Sequence, residues 1–462
     1  MKVAVIGGGA AAFAGALHAA EQGTQVTLIH AGLPGSTHFN TGRLPSRIMV
    51  KVAELVRYPA THLFQGVEKH RPSIDLAKHV AQRQALVDEL YRSEHEALLK
   101  DHKNISLLRG TARFHDRSTL VVDTPDGQTR RIDADRILIA TGAHPHIPDI
   151  AGLAESPYWT SQDALLAEHP PNHLLIIGGS AVAVELGQAF QRLGSNVTLI
   201  TRSTLLSRHD AAIGAALRDI LEKEGMSIIT GTVPLAVRSN KGTISVKLPK
   251  GDLRGDALLV AAGRAPNTTL LDLEKAGVGV DARGAIKIDR SMRTSMANIY
   301  AAGECTDMPQ LVYVAAAAGT RAAANMLGGR TPLDPSLIPT VIFTDPQTAA
   351  VGFTEDQAKR HGLSVHNRTL DLGDVPGAVA NLDIRGFIKL VADKNSGRLL
   401  GAQLLTTSAG ELIQSVSLAI QHKMTVRDLG EQLHPALTMS EGLNICAQSF
   451  YRDITHLTRR AE

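Results

Sequence analysis

The sequence predicts an α/β fold in which two Rossmann-like dinucleotide-binding domains are followed by a C-terminal α+β domain. Three observations carry that expectation. The apolar strand Val3-Ala4-Val5-Ile6 runs straight into a glycine-rich turn. The pattern recurs at Leu174-Leu175-Ile176-Ile177. From about Pro339 onward the text changes, and the strand Gly386-Phe387-Ile388-Lys389-Leu390-Val391 alternates as a half-buried antiparallel strand does.

The first unit reads strand, turn, helix, strand. Gly7-Gly8-Gly9-Ala10-Ala11-Ala12 follows the opening strand, a helical stretch runs to about Gln22, and Val26-Thr27-Leu28-Ile29 is the second strand. Gly7, Gly9 and Ala12 stand at the G-x-G-x-x-G/A positions. Gly7 permits the tight turn, Gly9 lets backbone approach a pyrophosphate, and Ala12 allows close helix–strand packing. The helix N-terminus then offers N–H groups to phosphate oxygens. An acidic residue usually ends the second strand and holds ribose hydroxyls; this chain has His30 there.

The second unit carries Gly178, Ser180 and Ala183 at the same positions, with serine replacing the middle glycine. Its second strand, Val197-Thr198-Leu199-Ile200, ends in Thr201 and Arg202, with Arg208 shortly after. An acid at this place favours NAD, whereas arginine pairs bidentately with a 2′-phosphate. Two such units fit one FAD and one nicotinamide nucleotide, and the arginines favour NADPH over NADH.

Composition bounds the remaining possibilities. The 462 residues carry 44% hydrophobic and 20% charged side chains, enough for several cores. Forty-eight basic against 45 acidic residues give a net charge of +3, too mild to imply nucleic acid. No apolar run reaches the ~18 residues of a membrane span. The chain enters a buried strand at once, without a signal segment, and its two cysteines, Cys305 and Cys446, lie far apart. Those features point to the cytoplasm. The nineteen histidines show no metal-ligand spacing, so no metal site is expected.

Residues 37–47 read Thr37-His38-Phe39-Asn40-Thr41-Gly42-Arg43-Leu44-Pro45-Ser46-Arg47. This stretch resembles the T-C-V-N-V-G-C-V-P-S-K segment of the flavoprotein disulfide reductases, with His38 and Arg43 at the two cysteine positions. The strand ending in Ala140-Thr141-Gly142, the close of the second unit at Gly263, and Tyr300-Ala301-Ala302-Gly303-Glu304 are similar to that family's further motifs. The family ordinarily has Gly-Asp where this chain has Gly303-Glu304, and the aspartate contacts the ribitol. Residues 306–321, 410–414 and 437–443 are similar to bacterial mercuric reductase, a member of the class I pyridine nucleotide-disulfide oxidoreductases.

The resemblance implies an FAD-binding domain over 1–150, an NAD(P)H-binding domain over 151–268, a return to the FAD domain over 269–336, and a dimerisation domain over 337–462. It implies a homodimer; the helical apolar spacing of Ala77, Val80, Ala81, Val87, Leu90 and Tyr91 predicts a helix over 75–100, one of a helix pair. It also implies that Arg47 replaces a lysine beside flavin N5 and pairs with Glu185. Mercuric ion prefers thiolate ligands, and the C-terminal cysteine pair is replaced by Arg459 and Arg460. Ala436 stands where those enzymes have an active-site tyrosine, leaving Glu441 without its partner; His434 lies two positions away.

The expected function is therefore an NADPH-dependent flavoprotein oxidoreductase that passes electrons from flavin directly to a small acceptor, with reduction of Hg(II) or disulfides not expected. His38, Arg43 and the partner subunit's Arg459 and Arg460 would line a cationic pocket suited to an anionic or quinone-like molecule. Alternatively the arginine tail is solvated. A non-catalytic flavoprotein, a redox sensor or a relic of the fold, is the competing class.

Overall fold

The computed structural model describes residues 1–32, 43–93 and 100–454. The chain forms two compact units, one of residues 1–46, 77–147 and 263–335, the other of 47–76, 148–262 and 336–462.

In the first unit, β1 (Lys2–Ile6), β2 (Gln25–His30) and β3 (Ile105–Arg109) belong to a five-stranded parallel sheet, with the helix α1 (Ala10–Glu21) connecting β1 to β2. Strands Arg136–Ile139 and Ile299–Ala301 complete it on the other side of β1. Both faces are buried, which explains the unbroken apolar runs. Val3, Val5, Leu28 and Leu138 pack into one core, while Ala4, Ile6, Ile29 and Ile139 pack into the other.

On the first of these faces α1 lies against the helix Val312–Met326 through small residues. A Cβ on Gly319 would sit 2.1 Å from the Ala11 carbonyl oxygen, and one on Gly15 would sit 2.5 Å from Leu138 Cδ2. Two additions escaped sequence reading. Thr111–Phe114, Thr119–Asp123 and Thr129–Asp133 form an antiparallel sheet, and Ala143–Pro145 pairs with Arg264–Pro266. Such short, polar strands lack a strong period.

The second unit holds a parallel sheet of Ser227–Ile229, Asn196–Ile200, His173–Ile177 and Ala257–Val260. It also holds a five-stranded antiparallel sheet of Thr340–Ile342, Gln347–Gly352, Leu399–Thr406, Phe387–Asp393 and Val365–Asp371. The helices Ala409–Gln421 and Met439–Gln448 share a core with that sheet. The helix α2 (Arg43–Thr61) contributes Met49, Ala53 and Val56 to the core around the parallel sheet. The helix expected over 75–100 is described as α3 (Leu76–Tyr91).

A charge cluster is buried within this unit. Glu224 accepts from Arg192 at 2.7 Å and lies 3.4 Å from both Arg57 and Arg385. Asp345 pairs with Arg192 and Arg385, and Asp383 pairs with Arg385 at 2.7 Å. Three guanidinium groups thus face three carboxylates.

Candidate nucleotide and redox site

The first turn has the geometry that its residues predict. Gly7 adopts φ +138°, and a Cβ there would meet the Ala140 oxygen at 2.1 Å. Its N–H donates to the Ile29 carbonyl at 2.8 Å, locking the turn to the end of β2. Gly9 precedes α1, and a Cβ on it would find nothing within 4 Å. Open space therefore lies over backbone whose N–H groups a helix leaves unused. Ala12 is fully buried against the sheet. At the end of β2, His30 Nδ1 bonds the Gly32 carbonyl at 2.6 Å.

Other FAD-motif residues are engaged internally. Thr141 Oγ1 donates to the Asn267 carbonyl at 2.7 Å, and Asn267 Nδ2 returns a bond to the Thr141 carbonyl at 2.9 Å. Gly142 and Gly303 sit at φ +70° and +85°, where glycine is preferred. Glu304 accepts from Arg264 Nε at 2.9 Å, and Arg264 also donates to the Ala143 carbonyl. The additional methylene of glutamate thus ends on a guanidinium, a partner that sequence reading missed.

In the second turn, Gly178 adopts φ +135°, and a Cβ there would sit 2.2 Å from the Ala261 oxygen. Ser180 caps the following helix. Its hydroxyl accepts from the Ala183 N–H at 3.5 Å and donates to the Ala261 carbonyl at 3.0 Å. The serine side chain is thereby held by neighbouring backbone. Arg202 and Arg208 are exposed and make no ion pair among the described residues. Gly263, at φ +120°, accepts through its carbonyl from His146 N–H at 2.8 Å.

Arg47 and Glu185 meet through a third residue rather than as the expected ion pair. The Arg47 guanidinium carbon lies 4.3 Å from the centre of the Phe343 ring. Glu185 Oε1 accepts from the Phe343 N–H at 2.7 Å. The ion pair of Arg47 among the described residues is with Glu54, at 3.9 Å on the same helix. Seven positions, about two helical turns, bring residues onto one face, so Glu54 was legible as a neighbour; Phe343 comes from distant sequence. Nη1 of Arg47 is buried without a hydrogen-bond partner among the described residues.

Glu441 Oε2 accepts from the Leu437 N–H at 2.8 Å and braces a residue at φ +60°. His434 Nε2 is buried without a hydrogen bond among the described residues. Thr37, His38, Arg459 and Arg460 lie outside the described residues, as does the side chain of Arg43.

Both cysteines are free and buried. Burial raises the Cys305 thiol above its ordinary range and pushes the Cys446 thiol up to about 12. Among the described residues no cluster of His, Cys, Asp or Glu could hold a metal ion, and no helix is long and apolar enough to cross a membrane.

The description "pyridine nucleotide-disulphide oxidoreductase" fits residues 1–319, and that family's dimerisation domain fits residues 338–446. A mercuric reductase of Acidithiobacillus ferrooxidans is 49% identical over 99% of this chain and 84% of its own length. One from Shigella flexneri is 48% identical over 99% of this chain and 82% of its own. Among solved structures, the HOCl-induced flavoprotein disulfide reductase RclA of Escherichia coli superposes with a TM-score of 0.85 at 28% identity, covering 97% of this chain and 99% of its own. LpdA of Mycobacterium tuberculosis gives 0.87 at 25% identity, covering 98% of this chain and 100% of its own. The chain belongs to the pyridine nucleotide-disulphide oxidoreductase family and is an FAD-dependent pyridine nucleotide oxidoreductase of its mercuric and disulfide reductase group.

Proposed function

We propose that this protein carries electrons from NADPH, through FAD, directly to a small anionic or quinone-like acceptor, with no protein dithiol between. The observation that carries the reading is the pair His38 and Arg43 at the two cysteine positions. Neither imidazole nor guanidinium can cycle between dithiol and disulfide. The remaining thiols, Cys305 and Cys446, are buried and held protonated, whereas exchange requires an accessible thiolate. Reduction of Hg(II) or disulfides is therefore not expected.

The residues present fit FAD. The Gly7–Gly9 turn and the N-terminus of α1 form an open cradle for a pyrophosphate. FAD supplies hydride acceptance and electron release when bound; the chain orients and tunes it. Ser180 and the helix it caps place backbone N–H groups for the second pyrophosphate. Arg202 and Arg208 offer exposed guanidinium groups to a 2′-phosphate. Arg43, with His38, supplies the positive field that draws an anionic acceptor. With a quinone the balance is NADPH plus a proton plus quinone, giving NADP⁺ and hydroquinone.

Glu304, neutralised by Arg264, and the alanine at 436 favour a second reading, a flavoprotein sensor without turnover. Anaerobic titration of the purified protein with NADPH and then NADH separates the two. Bleaching of bound flavin by NADPH at low excess supports the enzyme, and flavin that neither nucleotide reduces overturns it. A Cys305→Ala/Cys446→Ala protein should keep its rates within about twofold, since buried structural thiols contribute packing only. Arg43→Ala should raise KM for an anionic acceptor. Unchanged kinetics with every acceptor would remove Arg43 from the pocket.

A further inference from the structure

One stripe of the helix Ala181–Leu193 grips the segment that follows the strand Thr340–Ile342. Gln188 is buried and takes both backbone groups of Asp345: its Oε1 accepts from the N–H at 2.8 Å, and its Nε2 donates to the carbonyl at 2.8 Å. A neighbouring strand makes the same double exchange with its hydrogen-bonded partner. Phe343, two residues before Asp345, donates its N–H to Glu185 Oε1 at 2.7 Å. Arg192 adds a bond to the Asp345 carbonyl at 3.2 Å. Positions 185, 188 and 192 share one helical face, so side chains of a helix stand where a sheet partner would. Thr344, between the two gripped residues, is fully buried and donates to the Pro346 carbonyl at 2.8 Å.

This helix starts at Ser180, in the second glycine-rich turn, and Phe343 carries the Arg47 guanidinium carbon 4.3 Å from its ring centre. Resting on the proposed function above, we infer that Gln188 is a positioning residue for hydride transfer from NADPH to flavin: it holds the backbone at 343–345 so that the Phe343 ring presents Arg47. That step transfers one hydride, with both its electrons, and leaves NADP⁺. A phenyl ring has no polar atom by which to be held, so its place depends on the chain that bears it. Gln188 supplies two of the hydrogen bonds that fix that chain. The nucleotide turn and Arg47 are thereby tied to one helix.

The test uses the full-length protein. Gln188→Met keeps the buried volume and removes both hydrogen bonds. Amide exchange resolved to single residues by mass spectrometry, which needs no turnover, should speed up at Phe343 as well as at Asp345. Unchanged exchange at Phe343 overturns the relay. Stopped-flow bleaching of bound flavin by NADPH should slow about three- to tenfold, the worth of a net hydrogen bond. In an Arg47→Ala background the same substitution should change the rate by less than about twofold, because the ring then has nothing to present. Equal slowing in both backgrounds means a structural role only and overturns the positioning role. Phe343→Leu, which leaves Gln188 in place, should also slow bleaching while exchange at Asp345 stays unaltered; bleaching at the unaltered rate overturns the inference. Arg47→Ala that bleaches at the unaltered rate overturns the reading of Arg47 beneath it, and is told apart because exchange at Phe343 still responds to Gln188→Met. Flavin that NADPH does not bleach in the unaltered protein overturns the proposed function itself.

Discussion

Phe343 holds two charged residues of the proposed redox site at once, the Arg47 guanidinium by its ring and the Glu185 carboxylate by its backbone N–H. The guanidinium of Arg47 thus lies over an aromatic face, where arginine and the compact ammonium of lysine are not interchangeable. Arg47→Ala should slow flavin reduction by NADPH about tenfold, the worth of one hydrogen bond to a charged group. Arg47→Lys should recover only part of the loss. Stopped-flow bleaching of the flavin measures both, and equal rates in all three proteins would remove Arg47 from the reaction. Arg202 and Arg208 make a sharper case, since both are exposed and neither pairs with a carboxylate among the described residues. Replacing either with alanine should raise KM for NADPH about ten- to a hundredfold and leave NADH within about twofold. A parallel loss for both nucleotides would mean that these residues do not read the 2′-phosphate.

The helices α1 and Val312–Met326 approach closely because small residues line both of them. That approach fixes where α1 begins, and so where its N-terminal N–H groups point. Gly319→Ala would drive a methyl group to 2.1 Å from the Ala11 carbonyl, a backbone atom that cannot rotate away. Overpacking of this kind costs about 1–3 kcal/mol. The expected outcome is a lower thermal midpoint together with poorer FAD retention, read by calorimetry and by flavin content after gel filtration. A stable variant with full flavin would show that the contact relaxes without moving the cradle. The sequence made the close helix–strand packing at Ala12 legible, but not this helix–helix contact, because no local period links residue 11 to residue 319.

Glu224 gathers Arg57, Arg192 and Arg385 within the second unit, joining α2, the parallel sheet's helices and the antiparallel sheet region. Breaking a buried ion pair by removing one partner costs about 3–5 kcal/mol, because the other charge remains desolvated. Glu224→Gln should lose about that much in urea unfolding; a loss near zero would mean that water reaches the arginines. Asp383 adds a pH dependence. Burial opposes its ionisation, but hydrogen bonds and charge from Arg385 outweigh it and hold the carboxyl below the usual carboxylate range. A depressed folded-state value stabilises the protein above the unfolded value of about 3.9, and that contribution is lost as pH falls from there through the folded-state value. Asp383→Asn should be less stable at neutral pH and lose less stability on acidification. Identical pH profiles would refute the assignment.

The sequence by itself determined both nucleotide turns, the strands that carry them and the alternating strand of the C-terminal sheet. Those features depend on neighbours within a few residues: Gly7 and Gly178 are required by positive φ and close backbone, and buried strands must be continuously apolar. The family followed from the same motifs. Tertiary structure supplied the partners. It gave Arg264 to Glu304, Phe343 to Arg47 and Glu185, and the Gly32 carbonyl to the His30 ring. The first two join residues distant in sequence. The third is local, yet needs a ring orientation that residue type does not specify. Electrostatic and hydrogen-bond pairing depends on position to within a fraction of an ångström, and only the folded chain fixes that.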